Sequence, residues 1–390
     1  MAKCIKDLNL KGKRVFIRVD FNVPVKSGVV KDDTRIVEAM KTIRYAQGQG
    51  AKVILASHLG RPKGEKNPDY TLAPVAKYIT DKFMPVTFVE DCIGAPVADA
   101  VAKMNDGDVI LLENLRYYKG EEKNDPEFVK ALAANAGVYI NDAFGTCHRK
   151  HASTYGMAEL IHDKAAGFLV EKEIQYFSQL IKNPARPFGA IVGGAKVSDK
   201  IGVIKSLLEL ADDIFVGGAM AYTFLKYQGH TVGTSMVEDD QLNVVEEIFA
   251  IAKKKQVKIM LPMDHVISKE FCGEPCACDC ADIPDGCMGL DIGPKTADMY
   301  IHELNRCKTI LWNGPMGVFE NPQYANGTFS IARALGGAEG TVVVGGGDSV
   351  AAVNLAGVSD TIDHISTGGG ASLEFIEFGS LPGIDILDRN

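Results

Sequence analysis

Arginines crowd into one half of this chain and glycines into the other. Eight of the eleven arginines lie in residues 1–187, whereas 27 of the 40 glycines lie in residues 188–390. In the first half, charged residues follow short apolar runs: Asp20 and Asn22 in RVDFNVP, His58 and Arg61 in SHLGRP, Arg116 in LLENLRYY, and Arg149 in NDAFGTCHR. A guanidinium is a planar fork that pairs two carboxylate or phosphate oxygens at once. Several converging from separate segments would grip a small, multiply charged acid. In the second half the corresponding positions carry Gly193-Gly194 before Lys196, Gly217-Gly218, Gly345-Gly346-Gly347 before Asp348, and Gly368-Gly369-Gly370. Glycine between a strand and a helix lets backbone N–H groups approach a phosphate at the positive end of the helix. A single Gly-Gly turn is more often only tight packing. Four in one half, two of them followed by Lys or Asp, point to a nucleotide site.

Such residues work only if something brings them to one edge. In open α/β sheets ligands bind outside the carboxyl ends of the strands. β-Branched runs at 14–19, 52–56, 86–89, 108–112 and 138–140 alternate with helical patterns such as Leu72, Val75, Ala76, Ile79, Phe83, and Asp125-Pro126 opens another helix. The pattern restarts at 189–192, 214–216, 258–261, 309–312, 341–344 and 363–366. This is the alternation of α/β proteins. It predicts two lobes of similar size, each a parallel sheet covered by helices on both faces. Leu169, Ile174, Phe177, Leu180 and Ile181 keep helical spacing over 168–181 until Asn183-Pro184, so the segment 169–183 reads as a linking hinge helix.

Length and composition agree with that division. A chain of 390 residues exceeds one ordinary core, and 46% hydrophobic with 24% charged residues is the balance of a folded soluble protein. A net charge of -8 disfavours nucleic acid and anionic membrane as partners, since both need a concentrated basic face. With no apolar stretch of signal-peptide or membrane-spanning length, the expected location is the cytoplasm. Nine cysteines then read as reduced thiols. The chain has no GxxxxGK[ST] loop, no protein-kinase HRD or DFG set and no GxGxxG fingerprint.

Nine blocks spread over residues 18–372 resemble one family. They are RVDFNVP, SHLGRP, LLENLR, NDAFGT, GGAKVSDK, DIGPKT, WNGPMGVFE, GGGDS and STGGGAS, and the family is phosphoglycerate kinase. The resemblance implies reversible phosphoryl transfer between 1,3-bisphosphoglycerate with ADP and 3-phosphoglycerate with ATP, with Mg2+ accompanying the nucleotide. It implies a phosphoglycerate-binding domain over 1–168 plus 376–390, a nucleotide-binding domain over 169–375, a cleft that closes by a hinge, and a monomer. It assigns Asp20, Asn22, Arg35, His58, Arg61, Arg116 and Arg149 to the acid. Lys196, Lys200, Gly293, Glu320, Gly346, Gly347, Asp348 and Ser349 go to the nucleotide, with Asp348 reaching Mg2+. Arg35 and Lys196 would be the catalytic cations.

Some of these positions stay open on the residues alone. Lys200 suits a phosphate contact or a solvated helix lysine. Asp142 suits a substrate contact or a helix cap. His58 suits a ligand to substrate oxygens better than a base, because a nucleotide phosphate is already ionised. The sequence departs from the family at Cys272, Cys276, Cys278, Cys280 and Cys287, where thiolates would suit zinc or another soft metal although no repeated C-x2-C pair is present. Cys147, close to Arg149, suggests sensitivity to oxidation. Two readings from other classes compete, a nicotinamide-dependent dehydrogenase and a non-catalytic nucleotide- or metal-binding protein of the same fold.

Overall fold

A computed structural model describes residues 3–389. Two compact units divide the chain. The first takes the described residues up to Gln175 and those from Ser380 on, and the second is Tyr176–Gly379. The boundaries expected from sequence fell at 168/169 and 375/376, and the expected outer limits, residues 1 and 390, lie outside the described residues.

The first unit contains β1 (Arg14–Val19), a hairpin of β2 (Val25–Lys26) and β3 (Val29–Val30), β4 (Lys52–Ala56), β5 (Thr87–Val89), β6 (Val109–Leu112), β7 (Val138–Asp142) and β8 (Lys164–Ala166). Apart from the hairpin these form one parallel sheet in the order β5-β6-β4-β1-β7-β8. Alternation along β1 sends Val15, Ile17 and Val19 into a core with Ile36 and Ile43 of the helix Thr34–Gly48. It sends Phe16 and Arg18 to the opposite face, where Phe16 stacks on Tyr139 at 6.3 Å. β8 went unread in the sequence because three residues, Lys-Ala-Ala, carry no periodic signal.

In the second unit β9 (Phe188–Val192), β10 (Asp213–Val216), β11 (Lys258–Met260), β15 (Thr309–Asn313), β16 (Thr341–Gly345) and β17 (His364–Ile365) form a parallel sheet in the order β11-β10-β9-β15-β16-β17. A second, antiparallel sheet, unforeseen in the sequence, is built from β12 (His265–Ser268), β13 (Cys276–Cys278) and β14 (Met288–Ile292) in the order β13-β12-β14. Its segments are dense in Cys, Gly, Asp and Pro, which hides the period of two.

The linking helix runs over Phe168–Lys182 and contains the division at Gln175/Tyr176. Its start is held by Asp142 at the end of β7, whose Oδ1 accepts from the N–H groups of Leu169 at 2.9 Å and Val170 at 3.4 Å. The Thr42 hydroxyl accepts from Phe168 N–H at 2.9 Å. Of the two readings of Asp142, the helix cap is the one realised. Gly167 has to be glycine because a Cβ there would collide with the Asp142 carboxylate. The segment from Ser380 returns to the same end of β7, where Gly383 N–H donates to Cys147 O at 2.8 Å and Asn141 Nδ2 donates to Gly383 O at 3.2 Å. Among the described residues no helix is long and apolar enough to cross a membrane.

Burial pushes the Asp142 carboxyl up to about 7, against the pull of its hydrogen bonds. The folded protein therefore keeps a proton that the unfolded chain releases near pH ~4, and stability from this group falls as pH rises through about 7. Asp142→Ala orphans the two helix N–H groups and is expected to cost about 1–3 kcal/mol in urea unfolding. The deficit should be larger near pH ~5 than near pH ~8. An unchanged unfolding midpoint at both would remove Asp142 as the anchor of this helix.

Candidate active site

In the first unit the loops after β1, β4 and β6 share one edge of the sheet because those strands are parallel and adjacent. Arg35 Nη1 donates to Asp20 Oδ2 at 3.0 Å and to Asn22 O at 3.2 Å. Asn22 Oδ1 accepts from Gly60 N–H at 2.8 Å, and Arg116 Nη1 donates to Gly60 O at 2.9 Å. Asp20, Asn22, Arg35 and Arg116 are thus joined through a few direct contacts, and His58 Nδ1 lies 3.8 Å from Asp20 Oδ1. Arg61 and Arg149 are exposed on the loops after β4 and β7, and Arg149 Nε donates to His148 Nε2 at 2.9 Å.

Arg18, unmarked in the sequence reading, organises this cluster. It has no solvent exposure. Its Nε donates to Ser153 Oγ at 2.7 Å, and Ser153 Oγ donates to Glu121 Oε1 at 2.5 Å. Its Nη2 lies 3.1 Å from His58 Nδ1. A guanidinium cannot accept, so Nδ1 must be the acceptor and the imidazole carries its proton on Nε2. Burial first, then the charges of Arg18, Arg116 and Arg35, hold His58 well below the ordinary histidine pKa. His151 is pushed down to about 3 by burial and then by Arg116, Arg18 and Arg149. Burial and Arg149 also lower His148. The signal for Arg18 was there: a charge inside RVFIRV, an otherwise apolar strand, has to be answered by a partner. Glu121 and Ser153, distant in sequence, gave no such signal.

The arginine charges outweigh the acids around them. Glu121 is itself pulled two ways, raised by burial and lowered by Arg18. With all three histidines kept neutral, the edge presents arginine forks and N–H donors, which suits a multiply charged anion. Cys147 is another matter. It is fully buried and its thiol is pushed up to about 12 by that burial, so the expected sensitivity to oxidation is not supported: the reactive thiolate is disfavoured and shielded.

In the second unit the four glycine blocks separate into two kinds. A Cβ at Gly193 would collide with Pro315 O, and one at Gly218 would come within 2.6 Å of Gly194 O and 2.9 Å of Pro315 O. These two blocks are backbone packed on backbone between the ends of β9, β10 and β15. Gly347, Gly369 and Gly370 have no atom within 4 Å of a built Cβ. They sit at the open starts of the helices Gly347–Ala356 and Gly370–Phe378, where N–H groups face outward. Gly346, at φ 91°, makes the turn into the first of these helices.

Lys196 is exposed on the loop after β9. That loop is clasped by Glu238, whose Oε2 accepts from the N–H groups of Val197 at 2.6 Å and Ser198 at 3.1 Å, and whose Oε1 accepts from Ser198 Oγ at 2.5 Å. Sequence reasoning missed Glu238, which lies in a run of acids with no spacing to single it out. Lys200 fits neither of its readings simply. Its Nζ donates to Gly193 O at 2.6 Å, Asn313 O at 3.0 Å and Asn313 Oδ1 at 2.6 Å, tying the ends of β9 and β15. Burial pushes it down to about 8, with Asp348 and Asp199 opposing. Ser349 is buried, its Oγ accepting from Gly314 N–H at 2.6 Å, while Asp348 beside it is exposed in the first helical turn. Gly293 is buried against Asp264, which caps the helix Pro294–Leu304 by accepting from Lys295 N–H at 2.9 Å and Thr296 N–H at 2.7 Å. Glu320 is exposed.

Of the five clustered cysteines, Cys276 and Cys278 lie on β13 and the rest on the adjoining loops. Among the described residues, no three His, Cys, Asp or Glu side chains are gathered to hold a metal ion.

A family model described as phosphoglycerate kinase matches residues 5–378. The chain is 52% identical over 390 residues to a phosphoglycerate kinase of Clostridium novyi (strain NT), covering 99% of this chain and 98% of that one. A solved structure of phosphoglycerate kinase from Coxiella burnetii matches with a TM-score of 0.91 at 38% identity, covering 99% of each chain. A structure of phosphoglycerate kinase from Pyrococcus horikoshii OT3 matches with a TM-score of 0.86 at 32% identity, covering 99% of this chain and 98% of that one.

The geometry at Arg18 fixes what nuclear magnetic resonance should see. Without ligand, the His58 and His151 imidazoles are expected to stay neutral through the ordinary histidine titration range, with His58 as the Nε2–H tautomer. Because their folded pKa values lie below the unfolded value, both withdraw stability as pH falls below about 6.5. A His58 resonance titrating near pH ~6.5, or an Nδ1–H tautomer, would contradict the Arg18 contact.

Proposed function

This chain belongs to the phosphoglycerate kinase family, and we propose how its own residues divide the work of the reversible phosphoryl transfer between 1,3-bisphosphoglycerate and ADP, giving 3-phosphoglycerate and ATP. The observation that carries the assignment is the arginine-rich edge of the first unit with its neutral histidines. Asp20, Asn22, Arg35, His58, Arg61, Arg116 and Arg149 bind the three-carbon acid, the arginines taking its carboxylate and phosphate oxygens. His58 donates from Nε2 to a substrate oxygen. It serves as no base, since Nδ1 is occupied by Arg18.

The nucleotide goes to the second unit. The open helix starts at Gly347 and Gly370 offer N–H groups to phosphates. A carboxylate, Asp348, stands on the same first turn, where it would repel phosphate unless a cation lay between them. That arrangement fits a Mg-nucleotide as the substrate, with Asp348 as its hard oxygen ligand. Bound with the nucleotide, Mg2+ would neutralise charge on the phosphate oxygens. Lys200 and Ser349 act one step behind, holding the strand ends and Gly314 that frame the site. Glu320 is the acceptor for ribose hydroxyls, and Gly293 shapes the loop beside Asp264.

Transfer through a loose transition state spreads charge over three equatorial oxygens, so cations and backbone donors matter more than a nucleophile. Lys196 and Arg35 supply those cations, and no covalent enzyme intermediate is required. The dehydrogenase alternative has no support, since the chain lacks its fingerprint and belongs to a kinase family. The intact charged residues likewise speak against a non-catalytic relative. The net charge of -8 speaks against nucleic acid and anionic membrane as partners, and the protein is proposed to act as a cytoplasmic monomer.

A coupled assay should show ATP consumption that depends on 3-phosphoglycerate and on Mg2+, and its absence in purified folded protein would overturn the assignment. Lys196→Ala is expected to lower kcat by roughly two to three orders of magnitude and to change nucleotide affinity far less. Turnover near that of the unaltered protein would remove Lys196 from the transition state.

A further inference from the structure

The cysteine-rich segment takes no part in the phosphoryl transfer, yet it brings two sulfurs together. Cys278 closes β13 and Cys280 follows two residues later, with their Sγ atoms 4.0 Å apart. Both thiols also lie 3.3 Å from one acceptor, the carbonyl of Asp282, which holds the pair around a single backbone oxygen. Among the described residues no second pair of thiols meets in this way. The two members are placed unequally. Cys278 is buried in a small core with Tyr222, Leu225, Val232, Ile267 and Ile283, whereas Cys280 is exposed.

We propose that Cys278 and Cys280 are a redox-active dithiol that closes to an intramolecular disulfide when the protein meets a low-molecular-weight disulfide such as oxidised glutathione. The exposed member reacts first. Cys280 thiolate attacks one sulfur of the oxidant, forming a mixed disulfide and expelling one thiolate. Cys278 thiolate then attacks Cys280 Sγ and expels the second. The protein loses two electrons and two protons, and the oxidant is recovered as two thiols. Burial shields Cys278 and raises its thiol above its ordinary value, which leaves the encounter with the oxidant to Cys280; in the second step the adjacent mixed disulfide is the only partner Cys278 has to reach as it loses its proton. Closure needs the sulfurs to approach from 4.0 Å to about 2.05 Å. Asp282 is exposed but held by Thr231 N–H at 2.9 Å, so the approach falls to the exposed turn residue Asp279 between the two cysteines. The competitors are less well placed: Cys276 is exposed on β13 opposite Ile267, and its thiol donates to Ala277 O.

The test uses the full chain, reduced and then held with an excess of oxidised glutathione. Free thiols are blocked, the protein is reduced, and newly released thiols take a second label located by mass spectrometry. The expected result is the second label at Cys278 and Cys280 alone, so that two of the nine thiols are lost, and both return with dithiothreitol. Cys278→Ser should trap a stable glutathione adduct on Cys280, and Cys280→Ser should leave Cys278 unmodified. The proposal is overturned if all nine thiols survive, if the unaltered protein keeps a stable glutathione adduct on Cys280, or if the second label falls on Cys276, Cys287 or any other pair.

Discussion

A guanidinium without solvent contact, that of Arg18, has to have its charge answered inside the first unit, and the way it is answered shapes the edge around it. Ser153 and Glu121 take one side of the group and His58 takes the other. Because arginine only donates, the histidine is locked as an acceptor at Nδ1 and as a donor at Nε2. The same charge, with that of Arg116, disfavours protonation of His58 and His151. A site that would otherwise add charged histidines to its arginines therefore holds arginines and neutral donors. That keeps the self-repulsion of the empty site tolerable while leaving a net attraction for an acid phosphate.

The second unit, proposed to take the nucleotide, faces the opposite problem of admitting phosphate without arginine. Its means is backbone, which demands close approach between strand ends. Gly193, Gly217 and Gly218 exist to let chain pass chain, and Lys200 fastens the result by donating to Gly193 and Asn313. In the proposed division of work, phosphate falls to the helix starts at Gly347 and Gly370, where a Cβ would meet no atom within 4 Å. Carboxylates hold the surrounding loops: Glu238 clasps the Lys196 loop, and Asp264 caps the helix after Gly293. These acids act on backbone N–H groups and shape the loops that carry charge to the ligands.

Asp142 shows how a fold feature and a site feature are separated. It stands at a strand end, within NDAFGT, where a ligand contact was one natural reading. The structure spends it on the linking helix instead, and its burial raises its pKa to about 7. A carboxyl in such a place costs stability when ionised, and the helix N–H groups offset part of that cost.

Much of this protein was legible in the sequence. Repeated apolar runs and helical periods gave two α/β halves, because a parallel strand covered on both faces has to be apolar throughout. Strand ends could be read to within a residue or two, and with them the positions that would face a ligand. The uneven division of Arg and Gly gave the two kinds of anion chemistry, since residue type alone limits what a loop can bind. Tertiary structure decided the rest. It chose which glycines pack and which stay open, turned Lys200 and Ser349 inward, and brought Glu121, Ser153 and Glu238 to their partners across gaps that carry no period. It also set the protonation of His58 and His151 and brought the Cys278 and Cys280 thiols to 4.0 Å. The physical reason is common to all of these: periodicity and residue type are local, whereas burial, charge sharing and contact depend on neighbours that only the folded chain supplies.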